Sequence, residues 1–125
     1  MKLKVYNIVS ILFALMFING GLNKIFNYIP VPPDMPEALV NDNKAFMEIA
    51  WLMPLVAVVE LIGGILIIIP KFRALGALVI FPIMIGIVLL HATVALSGLP
   101  LAIGLLLVLF WMIWENRTKY FGLIN

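Results

Sequence analysis

Apolar residues fall into four blocks, about 5–27, 49–69, 74–96 and 100–116, each crossing or nearly crossing a bilayer as a helix. No formal charge appears between Ala74 and Trp114, a stretch too long for one crossing. Ser97-Gly98-Leu99-Pro100 divides it where a turn is needed, and Pro100 suits the first turn of the helix that follows. The last block, Pro100 to Trp114, is only roughly 22 Å long as a helix. It is therefore expected to continue towards Tyr120. Pro82 lies inside the third block and predicts a kink there, because it removes one backbone hydrogen bond. A polar segment, 29–48, separates the first two blocks. Its Ile29-Pro30-Val31-Pro32-Pro33 stretch is stiff and extended. Asp34 and Glu37 have capping-box spacing, predicting a short helix through Leu39 and Val40 at the outer mouth.

These elements predict an all-α fold: one integral membrane four-helix bundle occupying residues 1–125, with a short outer helix or loop between spans one and two. Composition agrees. Hydrophobic residues make up 65% of the chain and charged residues 11%, with mean hydropathy +1.20. A soluble domain carries about 25% charged residues, so this chain lacks the polar surface to cover itself in water.

The charges predict an orientation. Lys2, Lys4, Lys71, Arg73, Arg117 and Lys119 all fall on one side of four crossings. The opposite side holds Asp34, Glu37, Asp42, Lys44 and Glu48, and the positive-inside rule then puts both termini in the cytoplasm. Lys24, near the outer end of span one, is the basic residue that departs from this pattern. Tyr28 and Trp51 at one interface, with Trp111 and Trp114 at the other, fit aromatic belts. Lys2 and Lys4 ahead of an apolar run also resemble the start of a signal peptide. Phe17-Ile18-Asn19 is a poor cleavage site, so a retained first span is expected. The net charge of +2 gives no reason to expect nucleic-acid binding.

Glu60 is the carboxylate in the middle of an otherwise uncharged block. An acid at that depth costs roughly 2.5 kcal/mol or more to insert and usually marks a pathway, relay or ligand site. Its bland alternative is a protonated structural acid bonded to a backbone carbonyl or to Asn19. Asn19, Asn23 and Asn27 share one face of span one by their i, i+4, i+8 spacing, with Lys24 beside them. Such a stripe is more often helix–helix glue than a site. Lys24 either snorkels to the outer surface or pairs with Glu60. His91 lies towards the outer end of span three, where water alone can satisfy it. The simplest arrangement is an outward-opening polar cleft with Glu60 at its floor and Asn19, Asn23, Lys24 and His91 around it. Gly20-Gly21 and Gly63-Gly64 favour close helix packing.

Several chemistries are set aside. The chain has no cysteine, hence no disulfide, thiolate metal site or thiol redox step. It has no phosphate-binding glycine loop, nucleophile elbow or haem-attachment motif. One histidine with Glu60 supplies at most two metal ligands, too few for a closed zinc site. No catalytic residues and no metal ligands are therefore assigned, and an enzyme acting alone is not expected.

Gly21-Leu22-Asn23-Lys24, at the end of span one, resembles the Gly-x-x-Lys signature of DoxX-like membrane proteins. The resemblance continues through Glu60-Leu61-Ile62-Gly63-Gly64, Phe81-Pro82-Ile83, Leu90-His91, Met35-Pro36-Glu37 and Arg117-x-x-Tyr120. It implies a four-helix membrane bundle in which Lys24, Glu60 and His91 are family-typical positions. Relatives include subunits of thiosulfate:quinone oxidoreductase, members of other membrane redox complexes and a factor that assembles nicotinic receptors. The resulting expectation is a non-catalytic binding or accessory subunit in the cytoplasmic (inner) membrane of a bacterium. Its cleft would take a quinone, lipid or similar amphiphile, and its partners would be the lipid bilayer, a membrane redox complex and, for so small a bundle, a second copy as a homodimer. The alternatives are an assembly factor acting through small-residue helix faces and, less well supported at this size, a proton-coupled transporter.

Overall fold

The computed structural model describes residues 2–124, with side chains from Leu3 onwards, and Met1 and Asn125 lie outside the described residues. The regular structure of the described residues is entirely helical. Six α-helices, α1 (Lys2–Phe26), α2 (Glu37–Glu48), α3 (Leu52–Ile68), α4 (Arg73–Val94), α5 (Leu99–Glu115) and α6 (Arg117–Phe121), are joined by two single 3₁₀ turns, Pro70–Phe72 and Leu96–Gly98. Leu3–Phe26, Pro70–Val94 and Leu96–Glu115 are each long and apolar enough to cross a membrane. A fourth candidate is the α2–α3 pair, bent by 94° at its joint. The chain is thus a membrane protein with three to four candidate spans.

The long helices pack in chain order, α1 on α3, α3 on α4 and α4 on α5, with α1 also touching α5. Glycines set the distances. A Cβ at Gly21 would lie 2.8 Å from the Ala57 carbonyl oxygen, and one at Gly64 3.0 Å from that of Ala14. α1 and α3 therefore meet backbone to backbone, as small-residue membrane interfaces do. A Cβ at Gly76 would lie 2.8 Å from both Gly63 O and Ile67 N, so α4 presses equally closely on α3. The core between them is apolar and includes Phe13, Ala14, Phe17, Ile67, Ile80, Met84, Leu109 and Met112. Many large hydrophobic residues face outward, including Leu12, Leu55, Leu89 and Leu107, as lipid contact requires.

Two local expectations are corrected. Asp34 does not cap the outer helix. α2 begins at Glu37, with Pro36 at the cap position and no side-chain cap bond, and runs on to Glu48. Asp34 lies in a turn, two residues before Pro36 at the cap position. The last long helix does not continue unbroken to Tyr120 either. It ends at Glu115, and Asn116 (φ −110°, ψ 15°) breaks it before α6. The Asn116 amide is turned inward, donating to Tyr6 Oη at 3.0 Å and Met112 O at 2.8 Å, so the side chain competes with the helix for the backbone. α4 runs without a break through Pro82.

Candidate functional site

Lys24 stands in the last turn of α1, where a cation is favoured by the helix dipole. Opposite it, Glu60 sits mid-way along α3 and is 3% exposed. Lys24 Nζ lies 2.7 Å from Glu60 Oε1. Gly20, one turn before Lys24, makes room for the acid: a Cβ there would be 3.0 Å from Glu60 Oε2. Pairing is what makes a carboxylate at this depth tolerable.

The pair forms the charged part of the wall of a cavity of about 410 Å³ between α1, α2, α3 and α4. Phe46 and Asn43 of α2 line it from above. Met53 and Val56 of α3 close one side, and Pro82, Ile83, Gly86, Ile87 and Leu90 of α4 the other. α2 is amphipathic and buries none of its residues, so it lies over this space without being packed into the bundle. Gly86 opens the α4 side, since a Cβ added there would meet nothing within 4 Å. The size falls within the range of small-molecule sites, and mostly apolar walls with a few polar groups are their usual chemistry.

The other residues expected around Glu60 are engaged elsewhere. Tyr28 Oη donates to Asn19 O at 2.9 Å and also contacts Asn19 Oδ1. Asn23 Oδ1 accepts from Ile29 N at 2.8 Å. Asn27 takes φ 53°, a left-handed turn that ends α1 with its N–H bonded to Asn23 O at 2.7 Å. The asparagine stripe thus ties down the end of α1. His91 Nδ1–H donates to Ile87 O at 2.8 Å, and the ring lies against Gly98, where a Cβ would come within 2.7 Å of Nε2. His91 joins the end of α4 to the turn after it and is not among the residues lining the cavity. Lys24 and Glu60 are brought together; Asn19, Asn23 and His91 are instead fasteners of helix ends.

Sequence reasoning missed Asn43 and Phe46 because their place in the wall depends on α2 folding back over α3, and Gly86 because it depends on the rotation of α4. The i, i+3 spacing of Asn43 and Phe46 was the available signal. It also read Arg73 as a loop cation, whereas Arg73 is 2% exposed. Its Nε donates to Ile67 O at 2.8 Å and its Nη1 to Asn7 Oδ1 at 2.7 Å, with the guanidinium 5.2 Å from the Tyr6 ring centroid. Ile67 O is one of the last-turn carbonyls of α3, which lack helical partners, so Arg73 caps that helix. Beside it, Tyr120 Oη donates to Ala74 O at 2.7 Å, and burial together with nearby Tyr6 pushes the phenol up to about 12. This second polar cluster closes the end of the bundle where α1 begins and α5 ends. Among the described residues, no group of three or more potential ligands could hold a metal ion.

The sequence profile of the DoxX family matches residues 8–93, from within α1 to the last turn of α4, and includes both members of the pair. Uncharacterized protein YwoB of Bacillus subtilis (strain 168) is 30% identical over 66 residues, 53% of this chain and 43% of that protein. The match therefore spans less than half the length of that curated relative. No solved structure matches the chain. With more than half of its length matched by the profile, the chain belongs to the DoxX family.

Proposed function

We propose that this protein is a non-catalytic binding or accessory subunit of the cytoplasmic membrane whose cavity holds a small amphiphile, a quinone or lipid, in a quinone-linked redox system. The observation that carries the reading is the cavity itself: about 410 Å³, largely apolar, with the Lys24–Glu60 pair in its wall. Lys24 and Glu60 would meet the polar head of the ligand. Asn19, Asn23 and His91 act on it indirectly, by fixing the ends of α1 and α4. Both termini lie on the cytoplasmic side in this reading, and α2 covers the cavity from the outer face.

An assembly factor working through small-residue faces is less well supported, because Gly21, Gly63, Gly64 and Gly76 are all consumed in contacts within the chain. The test is native mass spectrometry of protein extracted gently from its own membrane, wild type beside Glu60→Gln and Gly86→Phe. Gly86→Phe adds bulk at a lining position where a Cβ meets nothing within 4 Å. A small molecule present in the wild type and lost from both variants is expected. A bare chain in all three sinks the binding reading.

A further inference from the structure

The charge balance of the cavity restricts what can occupy it. Lys24 and Glu60 neutralise one another at 2.7 Å, so the wall presents no net charge. An anionic head would have to compete with Glu60 for Lys24, and a cationic head with Lys24 for Glu60. Either leaves a charge unpaired in an apolar site, which is strongly unfavourable. An uncharged head carrying a carbonyl or hydroxyl oxygen avoids this. An ammonium has three N–H donors, and the contact with Glu60 leaves others on Lys24 to direct at an acceptor. Asn43 supplies a second polar side chain to the wall, and none of the described residues hydrogen-bonds its amide. At about 30 Å³ per water-sized group, the cavity takes on the order of a dozen non-hydrogen atoms. That is enough for a head and a few carbons.

The rest of such a molecule needs a way out. Pro82 and Gly86 both line the cavity and are exposed on the outside of α4, one helical turn apart. The flank they make is the apolar, lipid-facing side of the bundle, next to exposed Leu78, Ile85 and Leu89. A tail leaving there passes directly into the acyl chains.

Resting on the binding reading above, we infer that the occupant is a single-tailed amphiphile with an uncharged, hydrogen-bond-accepting head. The head is held between Lys24 and Asn43, and the tail enters sideways from the bilayer past Pro82 and Gly86. The test uses the full-length protein in nanodiscs and four photo-crosslinkable probes on the same twelve-carbon chain: a methyl ketone, a benzoquinone, a carboxylate and a trimethylammonium. Labelled residues are located by mass spectrometry. The ketone and benzoquinone probes are expected to bind at least tenfold more tightly than either charged probe. Their tail diazirine should label α4 near residue 86, and Asn43→Leu should weaken them severalfold. In Glu60→Gln the carboxylate probe should gain, because Lys24 is left without its partner. Stronger binding of a charged probe to the wild type overturns this inference while leaving the cavity reading intact, as does labelling confined to α2. If no probe distinguishes wild type from Gly86→Phe, the cavity reading itself fails.

Discussion

The ion pair offers the sharpest quantitative test. At an effective dielectric of about 20, unit charges at the 2.7 Å separation of Lys24 and Glu60 attract by about 6 kcal/mol. Desolvation opposes this by several kcal/mol per ion. The two sides are unequal: the Glu60 side chain is 5% exposed and that of Lys24 27%. Lys24→Met therefore strands a carboxyl group with neither partner nor water, and should cost on the order of 3 kcal/mol. Glu60→Gln leaves a lysine that can bend its stem towards the interface. That change should cost about 1–2 kcal/mol, the penalty of a hydrogen-bonding group less well placed. Lys24→Met/Glu60→Gln together should cost less than the two single changes added, by about 1–3 kcal/mol. Reversible unfolding in mixed micelles, followed by tryptophan fluorescence, supplies all four corners of the cycle. Additivity within about 0.5 kcal/mol, or a Glu60→Gln penalty exceeding that of Lys24→Met, would refute the reasoning.

Three further outcomes follow from the packing. Gly76→Ala places a Cβ 2.8 Å from backbone atoms of α3 and should destabilise by about 1–3 kcal/mol, whereas Gly86→Ala meets nothing and should stabilise by roughly 0.5–1 kcal/mol through helix propensity; the same unfolding assay decides between them. Arg73→Lys keeps a buried charge but not the fork that reaches Ile67 O and Asn7 together, and a loss of about 1–3 kcal/mol is expected in that assay. Tyr120 ionises less readily in the fold (about 12) than free in solution (10.0), so its contribution is fully present below pH 10 and is lost as pH rises towards 12. An alkaline melting series should show that decline in the wild type and a smaller one in Tyr120→Phe.

Much of the architecture was legible in the sequence because membrane helices announce themselves through local composition. The uncharged stretch from Ala74 to Trp114 and the Ser97–Pro100 break identify two helices without any knowledge of their neighbours. Glu60 stood out for the same reason, as an acid where the solvent is hydrocarbon. What composition does not encode is helix rotation. Asn19 and His91 looked like cleft residues by depth, yet each turns to a nearby backbone or loop group that depth alone cannot reveal. Arg73 was hidden by a related ambiguity. A cation at a helix junction reads as surface, and only the approach of Tyr6 and Asn7 from α1 buries it. The 94° bend between α2 and α3, which brings Asn43 over the cavity, depends on the few residues between them and leaves no periodic trace.

The contact between Lys24 and Glu60 also bears on how the chain reaches the membrane. It joins α1 with α3, and each brings a group that resists entering lipid alone. A central charge costs roughly 2.5–3.5 kcal/mol on insertion. α1 and α3 then partition more favourably as a hairpin than one after the other. The backbone contacts at Gly21 and Gly64 zip that hairpin along its length. α4 and α5 each pack on the long helix that precedes them in the chain.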